Sequence, residues 1–379
     1  MARKMKVYAY SRTEPHEAHG CVHRAEVTTE ATTGTLTYAW CEKVKNVPLF
    51  PVTREPVTKV ANGDPLYGSP TTVDEGGKRA YFLSRTKLIG VAEKSVQVVS
   101  EHGRHSGTFW SAAHGQLFAG WAASHRIDVY TLDDGQMKYN RDYVFAGEGW
   151  PGGVASLVVV DITGKTPRRQ LFALSSHTTG ENKRRLYIND LSTIGTQSVP
   201  TYVDLPPEIR DVTADVTSRF VVVSGGPHLI RFDLEYNGKQ KPLKGDSGQV
   251  WSRPVFIDLG DKRYCCWVQE SGGKWSLETR DIQSPATAPY SIPFTELKFG
   301  LYAPYIIELH VDKAYQHVWA FLSTKISQGA HCALAHAHCA FRFDVAGKTC
   351  QGGYLDMQFR DGDWYGGPRI VAPVSWSGS

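Results

Sequence analysis

The feature that most constrains this chain is a loose repeat with two marks per unit. One mark is an aromatic residue ahead of an apolar strand: Tyr67-Gly-Ser-Pro, Trp110-Ser-Ala-Ala, Trp150-Pro-Gly-Gly, Trp251-Ser-Arg-Pro, Tyr302-Ala-Pro and Tyr365-Gly-Gly-Pro. The other is an aspartate before an aliphatic residue at the end of a later strand, as at Asp128, Asp190, Asp233, Asp281 and Asp344. Successive aspartates lie 62, 43, 48 and 63 residues apart. Between the marks run short apolar segments bounded by Gly, Pro, Asn, Asp and Ser, which read as strands and turns. Such a unit is one small sheet that cannot bury both its faces alone and must stack on its neighbours.

A repeat of this size with several strands per unit predicts an all-β, single-domain β-propeller over residues 1–379. At roughly 54 residues per unit, the 379 residues make seven blades of four antiparallel strands. Repeats start near 67, 110, 150, 211, 251, 302 and 365. The fourth unit lacks the aromatic and is short, so six blades is the alternative count. The composition suits this class, with 36 glycines and 20 prolines for turns and 18 tyrosines and 10 tryptophans for pleated, half-buried surfaces. After Tyr365 one strand remains, at 369–374. The N-terminus supplies three more, at 6–10, 22–28 and 35–40, and in the last Leu36, Tyr38 and Trp40 share a face. One C-terminal and three N-terminal strands, within residues 1–45, are expected to complete the last blade and so hide two sheet edges.

The endings Arg231-Phe-Asp-Leu and Arg342-Phe-Asp-Val resemble the strand endings of WD40-type and related propellers. The Gly-His and Trp-Asp marks of true WD40 repeats are absent. The resemblance implies a fold and not an activity.

The formal charge of +4, from 42 basic and 38 acidic residues, is near balance and gives no support for nucleic-acid binding. No apolar run is long enough to span a membrane, and no Asn-x-Ser/Thr sequon occurs. Seven cysteines, an odd number without a framework, fit reduced thiols. The expectation is a monomeric, cytoplasmic protein, or a secreted one if a signal peptide has been trimmed. No protein partner is legible.

The first strand of a propeller blade is innermost, so the opening aromatics are expected around one mouth of the channel. Tyr67, Trp110, Trp150, Trp251, Tyr302 and Tyr365 would then form an apolar, polarisable wall. The competing reading is that they wedge between blades. Nearby polar candidates are Arg253, on the face of Trp251 if the segment is extended, and His114, Tyr305, Glu308 and Arg369. Arg253 would clamp a ligand oxygen, and His114 or Tyr305 would move a proton. Histidine and cysteine gather at positions 14–23 and 331–339, but neither set has a structural zinc spacing, so no metal is expected. No nucleophile elbow, Walker loop or dinucleotide fingerprint occurs, and no cofactor is expected.

Three functions compete. One is a single pocket for a mainly apolar small organic molecule, with cofactor-independent chemistry such as cyclisation or isomerisation. Another is a lectin with a sugar site per blade, and the third is a protein-interaction scaffold. A multivalent lectin needs the same binding residues in each blade. Here only framework marks recur, which favours the single site.

Overall fold

The computed structural model describes residues 3–12, 20–36, 44–54, 58–60, 72–73, 79–83, 87–92, 96–101, 105–144, 150–162, 168–192, 201–215, 219–234, 240–243, 247–284, 289–298, 307–326, 335–355 and 369–377. They form seven antiparallel sheets, the blades of a seven-bladed propeller. From the axis outwards, blade one is Thr72–Val73, Arg79–Leu83, Leu88–Ala92 and Val96–Ser100. In the same order, blade two is His105–Ser111, Gln116–Trp121, Arg126–Asp133 and Gln136–Val144. Blade three is Val154–Ile162, Arg168–Ser175, Arg184–Asp190 and Thr201–Leu205. Blade four, the weak unit of the sequence, is complete: Asp211–Asp215, Phe220–Gly225, His228–Asp233 and Gln240–Pro242. Blade five has a split inner strand, Gln249–Val250 and Val255–Leu259, followed by Lys262–Ser271, Lys274–Asp281 and Tyr290–Pro293. Blade six is Ile307–Asp312, His317–Ile326, Ala335–Asp344 and Thr349–Leu355.

Blade seven closes the ring as expected, with C-terminal Arg369–Ser377 innermost, then Lys4–Arg12 and Gly20–Thr28. The outer strand differs from expectation. It comes from Val52–Arg54 and Thr58–Val60, both paired with Gly20–Thr28. Thr32–Leu36 leaves this blade and pairs with Val44–Phe50, which runs parallel to the outer strand of blade six. Apolar burial accounts for the change, because Leu36, Val47 and Leu49 sink into the cluster that holds Phe341 and Tyr354. Tyr38 and Trp40 lie outside the described residues.

Alternate residues of a strand point to opposite sheet faces, and each face of a blade meets a different neighbour. Val158, Val160 and Ile162 therefore pack with Val212, Val221 and Phe232 of blade four. Leu157 and Val159 of the same strand pack with Phe118 and Ile127 of blade two. This double burial is why the strands read as unbroken apolar runs, such as Phe220 to Val223, rather than as alternating ones. Each buried aliphatic side chain contributes about 1.5–3 kcal/mol.

The aspartate mark ends the third strand at Asp190, Asp233, Asp281 and Asp344. Three of these carboxylates cap the following turn: Asp190 accepts from Ser192, Asp281 from the amides of Gln283 and Ser284, and Asp344 from the amide of Gly347. In blade two the matching residue is Asp133, the last of Arg126–Asp133, and not Asp128, which is third in that strand. The first spacing is thus 57 rather than 62. Among the described residues, no helix is long and apolar enough to cross a membrane.

Candidate functional site

The inner strands define two mouths. Ser156 sits early in its strand, and its hydroxyl accepts from the Val212 amide, early in the next blade's strand, at 3.3 Å. A Cβ built at Gly107, early in blade two's strand, would lie 2.9 Å from the Ala155 carbonyl oxygen. Near the other end of the strand, Asp161 meets His114, which follows blade two's inner strand. The strands therefore run in one sense, and their starts share one face of the ring, the upper face.

That geometry decides where the opening aromatics go. Side chains of an inner strand stand on the sheet faces, toward neighbouring blades, and leave the backbone edge to the channel. Trp110 does not open its strand but lies next to its end, stacked on Tyr81 of blade one with centroids 6.1 Å apart. Trp150 does precede its strand, yet it packs on the cluster of Phe118 and Ile127 and meets Tyr187 edge-on at 5.9 Å. Both fill seams between blades. Tyr67, Tyr302, Tyr305 and Tyr365 lie outside the described residues. Arg369 is the first residue of the strand Arg369–Ser377. Glu308, early in blade six's inner strand, faces His310 at 3.6 Å.

Trp251 and Arg253 behave differently, because blade five carries a bulge. Val250 pairs with Gln269 and Val255 with Cys266, so five steps on the inner strand oppose three on its partner. Trp251 still donates its amide to the Val268 carbonyl at 2.9 Å, and the two extra residues lift the segment after it off the ladder, as bulges do when they re-aim side chains. The Ser252 hydroxyl, buried, holds the bulge by accepting from the Val268 amide at 2.9 Å. Trp251 is 44% exposed and leans on Trp275, centroids 5.4 Å apart. Arg253 reaches the other way, across the upper mouth, where its Nη2 donates to Asp211 of blade four and Ser156 of blade three, both at 3.1 Å. Its Nε and Nη1 make no hydrogen bond with a described residue. The segment is not extended, so Trp251 and Arg253 flank the bulge instead of sharing one face.

His114 belongs to the other end. Its Nε2 lies 3.1 Å from Asp161 Oδ2, and Arg169 Nε donates to Oδ1 of the same carboxylate at 2.9 Å. From Ser156 to Asp161 is five strand residues, about 17 Å. His114 and Arg253 thus lie at opposite mouths and cannot act on one small ligand.

The lower end shows a device that sequence reasoning passed over. Four inner strands carry an acid at their last or next-to-last position: Asp161, Asp215, Asp258 and Asp312. Arginines tie all four of these strands across or along the blades, Arg169 holding Asp161 as above. Arg263 takes both oxygens of buried Asp215 at 2.7 Å and Asp258 at 2.6 Å, and hydrogen bonding to Asp215 holds its guanidinium still more firmly protonated than usual. Arg3 of blade seven reaches both oxygens of buried Asp312 at 2.6–2.7 Å. The signal was present in Val160-Asp161-Ile162 and Ile257-Asp258-Leu259, which carry the same aspartate mark on first strands instead of third.

On the upper face of blade two, buried Asp128 accepts from Trp121 Nε1 at 2.8 Å and Arg126 Nε at 2.7 Å, with His105 Nε2 at 3.1 Å. Burial pushes its carboxyl up, but these three partners more than offset it and hold it below the ordinary carboxylate range. With all its partners inside one blade, Asp128 acts as a structural pin.

Among the described residues, no group of three or more His, Cys, Asp or Glu is arranged to hold a metal ion. Much of the 14–23 cluster, together with positions 331 and 332, lies outside the described residues. His338 and Cys339, both buried, occupy adjacent positions on opposite faces of Ala335–Asp344.

No protein-family model matches the chain, and no curated protein matches it. Solved structures similar to it include a protein from Lactobacillus plantarum, 10% identical with a TM-score of 0.51, over 95% of this chain and 98% of that one. Apo AztD from Citrobacter koseri is 10% identical with a TM-score of 0.49, over 98% of each chain. The beta-propeller domain of Cps50 from Myceliophteria thermophila is 10% identical with a TM-score of 0.42, over 73% of this chain and 93% of that one. At such identities the likeness concerns the fold alone.

Proposed function

We propose that the protein binds one small organic molecule at the upper mouth of its channel. An acidic or strongly polar oxygen of the ligand sits on Arg253, and a flat apolar part lies along Trp251. The observation that carries this reading is the two-residue bulge of blade five, beside which Trp251 and Arg253 stand 44% and 47% exposed. A bulge weakens its own ladder, and an exposed tryptophan forgoes burial, so neither helps the fold. Arg253 keeps two nitrogens, Nε and Nη1, unspent while Asp211 and Ser156 fix its position, which is the pre-organised state a binding arginine needs.

The polar residues at the upper ends of the other inner strands differ from blade to blade: His105, Asp211 and Glu308. One asymmetric site fits this variety, and a copy in each blade does not. Any chemistry at this mouth would draw on a guanidinium, a carboxylate and a hydroxyl. These orient a ligand and stabilise developing charge, as a rearrangement or cyclisation requires.

The test is retention of small molecules from an extract of the host, by ultrafiltration with the parent, Arg253→Ala and Trp251→Ala. The parent should retain one compound that Arg253→Ala loses and Trp251→Ala retains less well. Equal retention by all three would overturn the reading.

A further inference from the structure

We propose that the lower face carries a second small-molecule site, between blades five and six, for a ring compound bearing one anionic group. A cleft of about 360 Å³ opens there, within the size range of small-ligand sites. Its floor is the lower part of blade five, and the Val345–Lys348 turn of blade six covers it. It lies at the opposite end of blade five from Arg253 and is independent of the upper mouth.

The walls suit a ring. Tyr264 and Tyr290 meet edge-to-face with centroids 6.1 Å apart, and Leu259 and Val345 add apolar surface. The Tyr290 hydroxyl is already spent, donating to the Val345 carbonyl at 2.9 Å, which ties the turn to the cleft wall. The Tyr264 hydroxyl makes no hydrogen bond with a described residue.

The rim suits an anion. Lys262 and Lys348 both line the cleft, and neither pairs with a described carboxylate. Lys348 instead stands with its Nζ 4.6 Å from the centre of the Tyr290 ring. Its backbone is left-handed, at φ 55°, a conformation that costs a non-glycine residue about 1 kcal/mol. The acid present is Asp281, buried, whose Oδ1 accepts from the amides of Gln283 and Ser284 at 2.9 and 3.2 Å. Two ammoniums and this one carboxylate are the charged groups of the lining, and Asp344, at the head of the covering turn, adds a carboxylate nearby. Two ammoniums and a phenol hydroxyl offer donors to a carboxylate or phosphate, with tyrosine faces for the ring beside it.

The probes are phenyl phosphate and an uncharged ring compound, benzyl alcohol, titrated calorimetrically at low ionic strength. The proteins are the parent and Arg253→Ala, each also carrying Lys262→Gln, Lys348→Asn or both. Asparagine is chosen at 348 because it tolerates positive φ. In Arg253→Ala, whose upper mouth lacks its anion clamp, one phenyl phosphate per chain should still bind at the lower cleft, and each lysine change should weaken binding at that cleft about tenfold. Benzyl alcohol should bind at least about tenfold more weakly than the anion. A variant-free readout uses acetylation of the parent, in which phenyl phosphate should protect Lys262 and Lys348 but not exposed Lys274. No binding at about 10 mM would overturn the proposal. So would binding that survives both lysine changes in Arg253→Ala, or binding lost in Arg253→Ala alone.

Discussion

Replacing Asp128 by alanine tests the pin on the upper face of blade two. The change strands three donors of unequal exposure. The His105 side chain is fully buried and loses its acceptor at 3.1 Å, which costs about 1–3 kcal/mol. Trp121 is partly buried, so its orphaned Nε1 adds about 1 kcal/mol. Arg126 is 36% exposed and turns to water, for about 0–1 kcal/mol. The carboxylate's own desolvation is recovered and offsets part of this, for a net loss of about 3 kcal/mol. Urea unfolding followed by near-UV signal reads it as a lower midpoint at unchanged slope. The pH dependence has a definite sign. Asp128 has a folded pKa below the ordinary 3.8, so the stability it adds is complete above that value and fades as the pH falls through the folded one. The gap between parent and variant should hold from pH 7 to about 4 and narrow progressively below that. A loss under about 1 kcal/mol at pH 7, or a gap that persists in acid, would refute the reasoning.

Three further outcomes follow from the same geometry. Arg263→Met should cost about 3–5 kcal/mol by leaving buried Asp215 without its bidentate partner, read by the same unfolding curve. Gly153→Ala should destabilise by about 1–3 kcal/mol, because its Cβ would come 2.1 Å from the Trp121 carbonyl oxygen where blade three enters against blade two; thermal melting checks it. Cys265, Cys266 and Cys339 should resist iodoacetamide in the folded protein at about pH 8.5, since burial pushes each thiol up and only thiolate reacts; peptide mapping before and after unfolding in urea reads it.

The sheets were legible because stacked blades impose the same short-strand rhythm throughout, so 211–216 reads as a blade start even without an aromatic. Side-chain direction was not legible to the same depth. Trp110 and Trp150 carry the same sequence mark as Trp251, yet the first two fill seams and the third stands exposed. The difference lies in the blade-five register, where two extra residues shift the pairing, and pairing is a tertiary property that no local pattern in residues 249–255 announces. Asp128 misled for a related reason. It sits before a valine like the turn-capping aspartates, but its strand runs five residues further to Asp133. Leu36 is buried as an apolar strand residue should be, but in the blade-six cluster rather than in the closing blade, a choice of partner sheet that local pattern does not announce.

The central claim is one ligand at the upper mouth, held by Arg253. Native mass spectrometry of the protein isolated from its own host tests it most directly, with Arg253→Ala prepared alongside. The account predicts a single small molecule per chain in the parent and none in the variant. Several identical molecules per chain, or one that survives the loss of Arg253, would contradict it.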